Sequence, residues 1–438
     1  MTTIVTRAIR FLGNLVQPPS RPSCPSCGST LWKRHGFYHR GQRCLDRLRA
    51  SVPIQRHLCL NPSCHKTWGE KLPWLSPRRW YGRDVIRKSL DLCLDCTTSW
   101  RELTEVLRGE ITGTGRALRW APWRRPKRDA AAARLAHTTP WRWVQEAARR
   151  AQASDQQVGR YTGLFSGILA TDETWGWVKG VVDGVGQKVA FGIQALVDGK
   201  TRLVLHLERL RGESEAALRV GIEKLPTLGV PLARVAVWLS DGSLTYPAVL
   251  AMLNLDDRAR QRSIFHLWRN VLGPIAAYGA ERGSKAAEGL REAVHAVWDA
   301  ATERQAVGAL FALIATYGQD RISQVVVGIV RSSFRDATYH LKGAVVGLGR
   351  TSGVVEWLWR RFKRRMRLIQ VFMGEDSPER FLALFELYVN FHRYQVRRER
   401  KRRYPYPGQC PLEIAGQSLE VDAAGYQVVA SWLDALAI

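Results

Sequence analysis

The chain of 438 residues carries 66 Lys and Arg against 39 Asp and Glu, a formal net charge of +27. A cationic excess of this size draws polyanions, so nucleic acid is the expected partner; a membrane surface is the competing anion, yet no apolar run approaches the roughly 20 residues that cross a bilayer. The opening "MTTIVTRAIRFLGNLVQPPS" lacks the apolar core and small-residue cleavage site of a signal peptide, so a cytoplasmic protein with no membrane partner is expected.

Beyond an amino-terminal extension, residues 1–20, the first predicted domain covers 21–75. Eight cysteines in so long a chain make no disulfide scaffold, and their clustering near the start points to metal. "CPSCGS" supplies Cys24 and Cys27, whose two-residue spacing lets two thiolates grip one tetrahedral Zn²⁺ while Gly28 relaxes the backbone after them. "CLNPSC" supplies Cys59 and Cys64, with four residues between the thiols, still within ligand spacing. The intervening "WKRHGFYHRGQRCLDRLRASVPIQRHL" alternates bulky and basic residues, as the hairpin of a zinc ribbon would. Cys44, His35, His39, His57 and His65 are substitute ligands, but four thiolates already close a structural site. Cys93 and Cys96 repeat the C-x-x-C spacing on a helical stretch without a second pair, and are read as packing residues.

Residues 80–155 are predicted to be a helix-turn-helix DNA-binding region. "GRDVIRKSLDLCLDCTTSWRELTEVL" has helical apolar spacing broken at "CTTSW", and Ser99 followed by Glu102 is a capping box that starts a second helix. A third helix is expected from Thr138 or Thr139, with Pro140 in its first turn. It presents Trp141, Arg142, Arg149 and Arg150 to DNA, the three arginines as exposed phosphate contacts. The Arg/Trp/Pro/Gly-rich stretch before it reads as a basic loop that tracks a backbone.

From residue 160 the pattern changes. "GILATDETWGWVKG", "QKVAFGIQALVDG" and "TRLVLHLERL" are β-rich runs joined by Gly/Asp turns, "GESEAALRVGIEKL" is helical, and "RVAVWLSDGS" is a fourth strand ending at Asp241. Three hairpin-linked strands, a helix and a strand parallel to the first open a ribonuclease-H-like sheet, in which Asp172 on the first strand lies beside Asp241. A third carboxylate is expected from "TSGVVEWLWRRFKRRMRLIQVF", where Thr351 or Ser352 caps a helix with an apolar stripe of Val355, Leu358, Phe362, Met366 and Ile369. Glu356 heads another face, above Arg360, Lys363, Arg364 and Arg367, cations suited to a DNA backbone. Three such acids hold two Mg²⁺ or Mn²⁺ ions about 3.5 to 4 Å apart for in-line phosphoryl transfer. Glu173 is the rival of Asp172: strand alternation lets only one of the two face a metal, and Trp175 is expected on or near DNA.

The order of zinc ribbon, helix-turn-helix, "TDETW", "LSDGSLTYPAVL", "SIFHLWRNV", "TSGVVEWLWRRFKRRMR" and "YVNFHRYQVRRERKRRYPYPGQCPLEIAG" resembles DDE transposases of bacterial insertion sequences, nearest to those related to Mutator-like elements. The resemblance implies that Asp172, Asp241 and Glu356 form the catalytic triad and that His266 assists them; relatives commonly carry Cys three residues before that His, where this chain has Ser263. It implies an all-helical insertion, 273–329, splitting a catalytic domain of 160–272 and 330–395; the charge run "VRRERKRRY" opens a basic tail, 396–438, in which Arg397 and Arg398 are expected to contact phosphates. It implies double-stranded DNA partners, the element's terminal inverted repeats and the target, and a homo-oligomer of at least two copies. It also implies a bacterial or archaeal, nucleoid-associated setting. A catalytically silent DNA-binding protein and a nuclease without strand transfer are the competing readings.

Overall fold

The computed structural model describes residues 23–45, 47–70, 81–95, 99–112, 135–155, 158–182, 185–211, 214–242, 245–255, 259–394, 406 and 408–416. They form a mixed α/β protein in two compact units. The first comprises Met1–Ser154, Arg364–Ile369 and Ser418–Ile438; the second comprises Asp155–Lys363 and Gln370–Gln417. Among the described residues no helix is long and apolar enough to cross a membrane.

The first unit opens with a three-stranded antiparallel sheet, β1 (Trp32–Cys44), β2 (Arg47–Cys59) and β3 (Thr67–Gly69), in that order. Gly36, at φ 71°, sits at a register shift between Arg34 and Phe37, a bulge that glycine allows without steric cost. Three helices follow: α1 (Arg83–Asp95), α2 (Trp100–Thr112) and α3 (Thr138–Asp155). The capping box at α2 is reciprocal, with Glu102 N donating to Ser99 Oγ at 3.3 Å and Ser99 N to Glu102 Oε2 at 2.8 Å. Val85, Ile86 and Leu90 of α1, Leu103 and Leu107 of α2, and Trp143 of α3 are buried at helical spacing. Cys93 is buried in α1 as a packing residue, its thiol pushed up to about 11 by burial and eased down by the Arg365 charge. Cys96 lies outside the described residues.

The second unit is built on a mixed sheet: β4 (Ile168–Val182), β5 (Val185–Asp198), β6 (Val204–Leu210), β7 (Val237–Ser240) and β8 (Ala259–Arg262), ordered β6-β5-β4-β7-β8. The β4–β5 and β5–β6 pairs are antiparallel, and β4–β7 and β7–β8 are parallel. The helix α4 (Glu215–Lys224) leads from β6 to β7, and α5 (Thr245–Met252) joins the parallel strands β7 and β8. All four residues of β7 are buried, as expected of a parallel strand covered on both faces. β7 pairs with β4 only over Ile168–Ala170, and the short β9 (Phe372–Met373) pairs with Val178 and Lys179. Among the described residues, then, β4 is left without a partner on that side between 171 and 177.

Four helices, α6 (Ile264–Arg282), α7 (Ser284–Trp298), α8 (Glu303–Tyr317) and α9 (Ser323–Ala337), enclose their own core, in which Leu267, Val271, Leu290, Val294 and Trp298 are buried. Their helical structure runs beyond both ends of the Ala-rich stretch because the apolar period already begins at Ile264. The helix α10 (Gly353–Ile369) starts in the second unit, and its last six residues belong to the first. Its buried face is Val355, Leu358, Trp359, Phe362 and Arg365, whereas Met366 and Ile369 of the expected stripe are only half-buried. The stripe shifts because Arg365 turns inward, its guanidinium 5.3 Å from the Trp100 ring, an arrangement that shelters a cation over an aromatic face.

The edge strand β6 is covered by α11 (Ser377–Phe391). Asn390 donates to Val204 O at 2.8 Å and accepts from Val204 N at 2.8 Å, while Glu386 accepts from Leu207 N at 3.1 Å and from the Tyr161 hydroxyl at 2.8 Å. These side chains satisfy backbone groups that an open edge would leave bare. The short helix α12 (Pro411–Ile414) follows, with Cys410 buried at its cap. Residues 395–405, which include Arg397 and Arg398, lie outside the described residues.

Candidate metal centres

The two cysteine knuckles converge. The Sγ atoms of Cys24 and Cys64 are 3.7 Å apart, those of Cys27 and Cys59 are 3.6 Å apart, and all four lie within 4.8 Å of one another. A disulfide needs about 2 Å. Four thiolates at about 2.3 Å from a tetrahedral ion stand about 3.8 Å apart, so these spacings fit a structural Zn²⁺. Each knuckle is followed by a left-handed residue, Gly28 at φ 72° and His65 at φ 45°, which turns the chain away from the site. Cys59 N donates to Lys66 O at 2.9 Å and Cys24 N to Ser29 O at 2.9 Å, closing the two loops. Burial pushes the Cys24 thiol up, but hydrogen bonds from the Ser26 and Cys27 backbone and from the Cys27 and Cys64 side chains outweigh it and bring it to about 7. Burial and the surrounding thiols hold Cys59 at about 12. A ready thiolate beside a reluctant one is a set that a cation completes.

In the second unit Asp172, Glu173 and Asp241 each place a carboxylate oxygen within 4.8 Å of the others. Asp172 and Glu173 come from β4 just beyond its last pairing with β7, and Asp241 follows the last residue of β7. Gly242 sets the turn after Asp241: it has φ 87°, and a Cβ there would overlap the Arg262 side chain, whose Nε donates to Asp241 O at 3.4 Å. The acids line a cleft of about 560 Å³ that also receives Glu356, His266, Arg269, Arg360 and Lys363.

The expectation that only one of Asp172 and Glu173 faces the site is corrected. The two do alternate: Asp172 lies within the electrostatic reach of Glu356 and Lys363, and Glu173 accepts a hydrogen bond from the buried Tyr246 hydroxyl of α5. Because β7 stops at Ser240, the β4 edge is open at this level, and both carboxylates reach it. Burial raises Asp172 to about 7, helped by the Asp241 charge and then by Glu356. Burial likewise raises Glu173 to about 7, against the hydrogen bond from Tyr246 and with Asp241 and Asp172 adding to it. Acids this crowded repel one another when ionised, and a divalent cation relieves that repulsion.

Glu356, in the first turn of α10, lines the cleft but is not among the three acids within 4.8 Å. Its Oε1 is buried with no hydrogen-bond partner among the described residues, and burial pushes its carboxyl above the usual range, against the pull of Arg360 and Arg269. Ser352 N and its hydroxyl meet the buried Ser263 hydroxyl at 3.1 Å and 3.0 Å, which joins the start of α10 to the start of α6. Ser263 therefore makes a positioning contact with the start of α10. His266, three residues on, is lowered by burial, against the Asp241 charge; its Nε2 is buried with no partner among the described residues.

Arg360, Lys363, Arg364 and Arg367 are all exposed, the first two at the cleft and the last two in the portion of α10 grouped with the first unit. On α3, Trp141, Arg142 and Arg149 are exposed. Arg150 differs from expectation: it is half-buried and paired with Glu146 at 2.7 Å, a helical i,i+4 partner that was in view in the sequence. Sequence reasoning also missed Arg269, Trp359 and Phe265, which enter the cleft only through the packing of α6 and α10. No protein-family model matches the chain, and no curated protein matches it.

Proposed function

We propose that the chain is a DDE-type DNA transposase that binds the ends of its element and cuts and joins DNA strands at the carboxylate cleft. The observation that carries this reading is the convergence of Asp172, Glu173 and Asp241 within 4.8 Å, in a cleft that also receives Glu356 and three cations. The strand order and directions, with Asp172 on the central strand and Asp241 at the end of its parallel neighbour, support a ribonuclease-H-like core. Two Mg²⁺ or Mn²⁺ ions, when bound, would supply the charge that activates the attacking oxygen and steadies the leaving oxygen.

The chain's own residues do the rest. Asp172, Asp241 and Glu356, with Glu173 beside them, would hold the cations through their carboxylate oxygens. Arg269, Arg360 and Lys363 neutralise the flanking phosphates, and the half-buried His266 offers an imidazole kept neutral near pH 7. The helices α1 and α2 with their turn, and α3 with Trp141, Arg142 and Arg149, serve as a helix-turn-helix module. The thiolate knuckles stiffen a hairpin whose exposed Lys33, Arg34 and Phe37 face DNA. Two ends must be cut together, so the working form is at least a dimer.

A nuclease that cuts without joining needs the same acids, and a silent DNA-binding protein needs none of them. Full-length chain incubated with labelled DNA from both flanks of its coding region, a target plasmid and Mg²⁺ separates the three. Joined products support transposition, cleavage alone supports the nuclease, and binding alone supports the silent protein.

A further inference from the structure

We propose that Gln194 is a positioning residue for the metal site: from behind the cleft wall its carboxamide donates to the Glu173 carboxylate and holds it toward the cation. This role rests on the divalent-cation reading of the cleft given above.

Gln194 lies on β5 and is fully buried, and both its Oε1 and its Nε2 are buried with no hydrogen-bond partner among the described residues. A buried amide left unpaired costs stability that an apolar side chain of the same bulk would not, so a glutamine here calls for a partner. Its neighbours supply two candidates. Gln194 pairs across β4 and β5 with Glu173 and across β5 and β6 with Glu208. The three side chains therefore form one row on one face of the sheet, directly opposed Cβ atoms standing about 4.5 to 5.5 Å apart. The helix α4 closes over this row at Gly221, where a Cβ would overlap the Gln194 carboxamide and come within 3.1 Å of Glu208 Cβ. Glu173 lines the cleft and Gln194 does not, so the amide stands behind the acid and out of solvent.

The two carboxylates beside Gln194 are not equivalent. Glu208 is already engaged, with His206 Nε2 2.8 Å from its Oε2 and the Lys224 ammonium paired to the same oxygen. Glu173 receives the Tyr246 hydroxyl on Oε1 from α5. A carboxylate has two oxygens with about four acceptor positions, so an amide from β5 and a hydroxyl from α5 can grip Glu173 from two elements and still leave lone pairs for a cation. Glutamine suits the place because it donates without charge: a lysine there would compete with the cation, and a further carboxylate would add to the repulsion among the acids.

The test is calorimetric titration of the zinc-loaded full chain with Mn²⁺, together with its melting temperature. Gln194→Met keeps the length and bulk and removes both amide groups. It is expected to weaken Mn²⁺ binding about tenfold, with the melting temperature unchanged or higher because no buried amide remains. Gln194→Asn keeps the amide but withdraws it by one methylene, and is expected to lose nearly as much affinity. A residue that served packing alone would do the reverse, lowering the melting temperature and leaving Mn²⁺ affinity at the wild-type value. Wild-type affinity in either folded variant would overturn the positioning role and leave the metal site in place. Wild-type chain that binds no Mn²⁺ would overturn the cation reading, and this role with it.

Discussion

The buried hydroxyl of Tyr246 donates a hydrogen bond to the carboxylate of Glu173, and this contact ties α5 to the open edge of β4. Burial and the neighbouring Glu173 charge raise the Tyr246 hydroxyl well above its usual value, so it stays a donor at any working pH. Outer partners that orient a ligand commonly matter about tenfold or more in metal affinity. Tyr246→Phe removes only the hydroxyl, and is expected to weaken Mn²⁺ binding about tenfold with the melting temperature little changed. Calorimetric titration checks this; an unchanged affinity would mean that Glu173 holds no metal.

The thiolate cluster predicts one tightly held Zn²⁺ per chain. Cys24→Ser removes the thiol lowered to about 7 and leaves three ligands. Native mass spectrometry of the purified variant should show the zinc lost, and DNA-end binding should weaken because the hairpin between the knuckles loses its clamp. Full zinc occupancy in the variant would remove the ribbon assignment.

The acids predict a pH dependence of definite sign. Asp172 and Glu173 are raised to about 7 by burial and by neighbouring carboxylates, against an unfolded value of about 4. The folded chain therefore binds their protons more tightly than the unfolded chain does, and their contribution to stability falls as pH rises from about 4 to about 7. A divalent cation competes with those protons, so its stabilising effect grows over the same window. Melting temperatures of the zinc-loaded chain recorded without and with added Mg²⁺ between pH 5 and 8 should diverge as pH rises. A gap that is constant or shrinks would contradict the assignment of these two groups to the metal.

At the sheet edge, Asn390 is 1% exposed and satisfies both the N–H and the C=O of Val204. Asn390→Leu keeps the approximate bulk and strands two buried backbone groups. The expected destabilisation is about 2 to 4 kcal/mol, measured by urea denaturation. A change below about 0.5 kcal/mol would mean that water or local rearrangement replaces the contact.

The parts of the fold legible in the sequence are those set by short-range patterns. The Ser99 to Glu102 capping box, the cysteine spacings, and Asp172 on β4 with Asp241 just past the end of the neighbouring parallel strand all follow from residues close in the chain or from strand alternation. What alternation could not convey was where β7 ends, and that end is what lets Glu173 join Asp172 at the edge. Likewise the apolar stripe of α10 was misplaced because Arg365, a residue usually left in water, is held inside over Trp100, more than 250 positions earlier in the chain. Tyr246, Arg269 and Asn390 gain their roles through contacts of the same long range, which no local pattern announces.

The central claim is that the carboxylate cleft breaks DNA strands with a divalent cation. The most direct measurement is Mg²⁺-dependent scission of labelled DNA from the flanks of the coding region by the wild-type chain and by Asp241→Asn. Scission by the wild type that disappears in Asp241→Asn, with DNA binding and melting temperature retained, is the predicted result. Scission that persists in Asp241→Asn, or none by a wild-type chain that binds the same DNA with Mg²⁺ present, would contradict it.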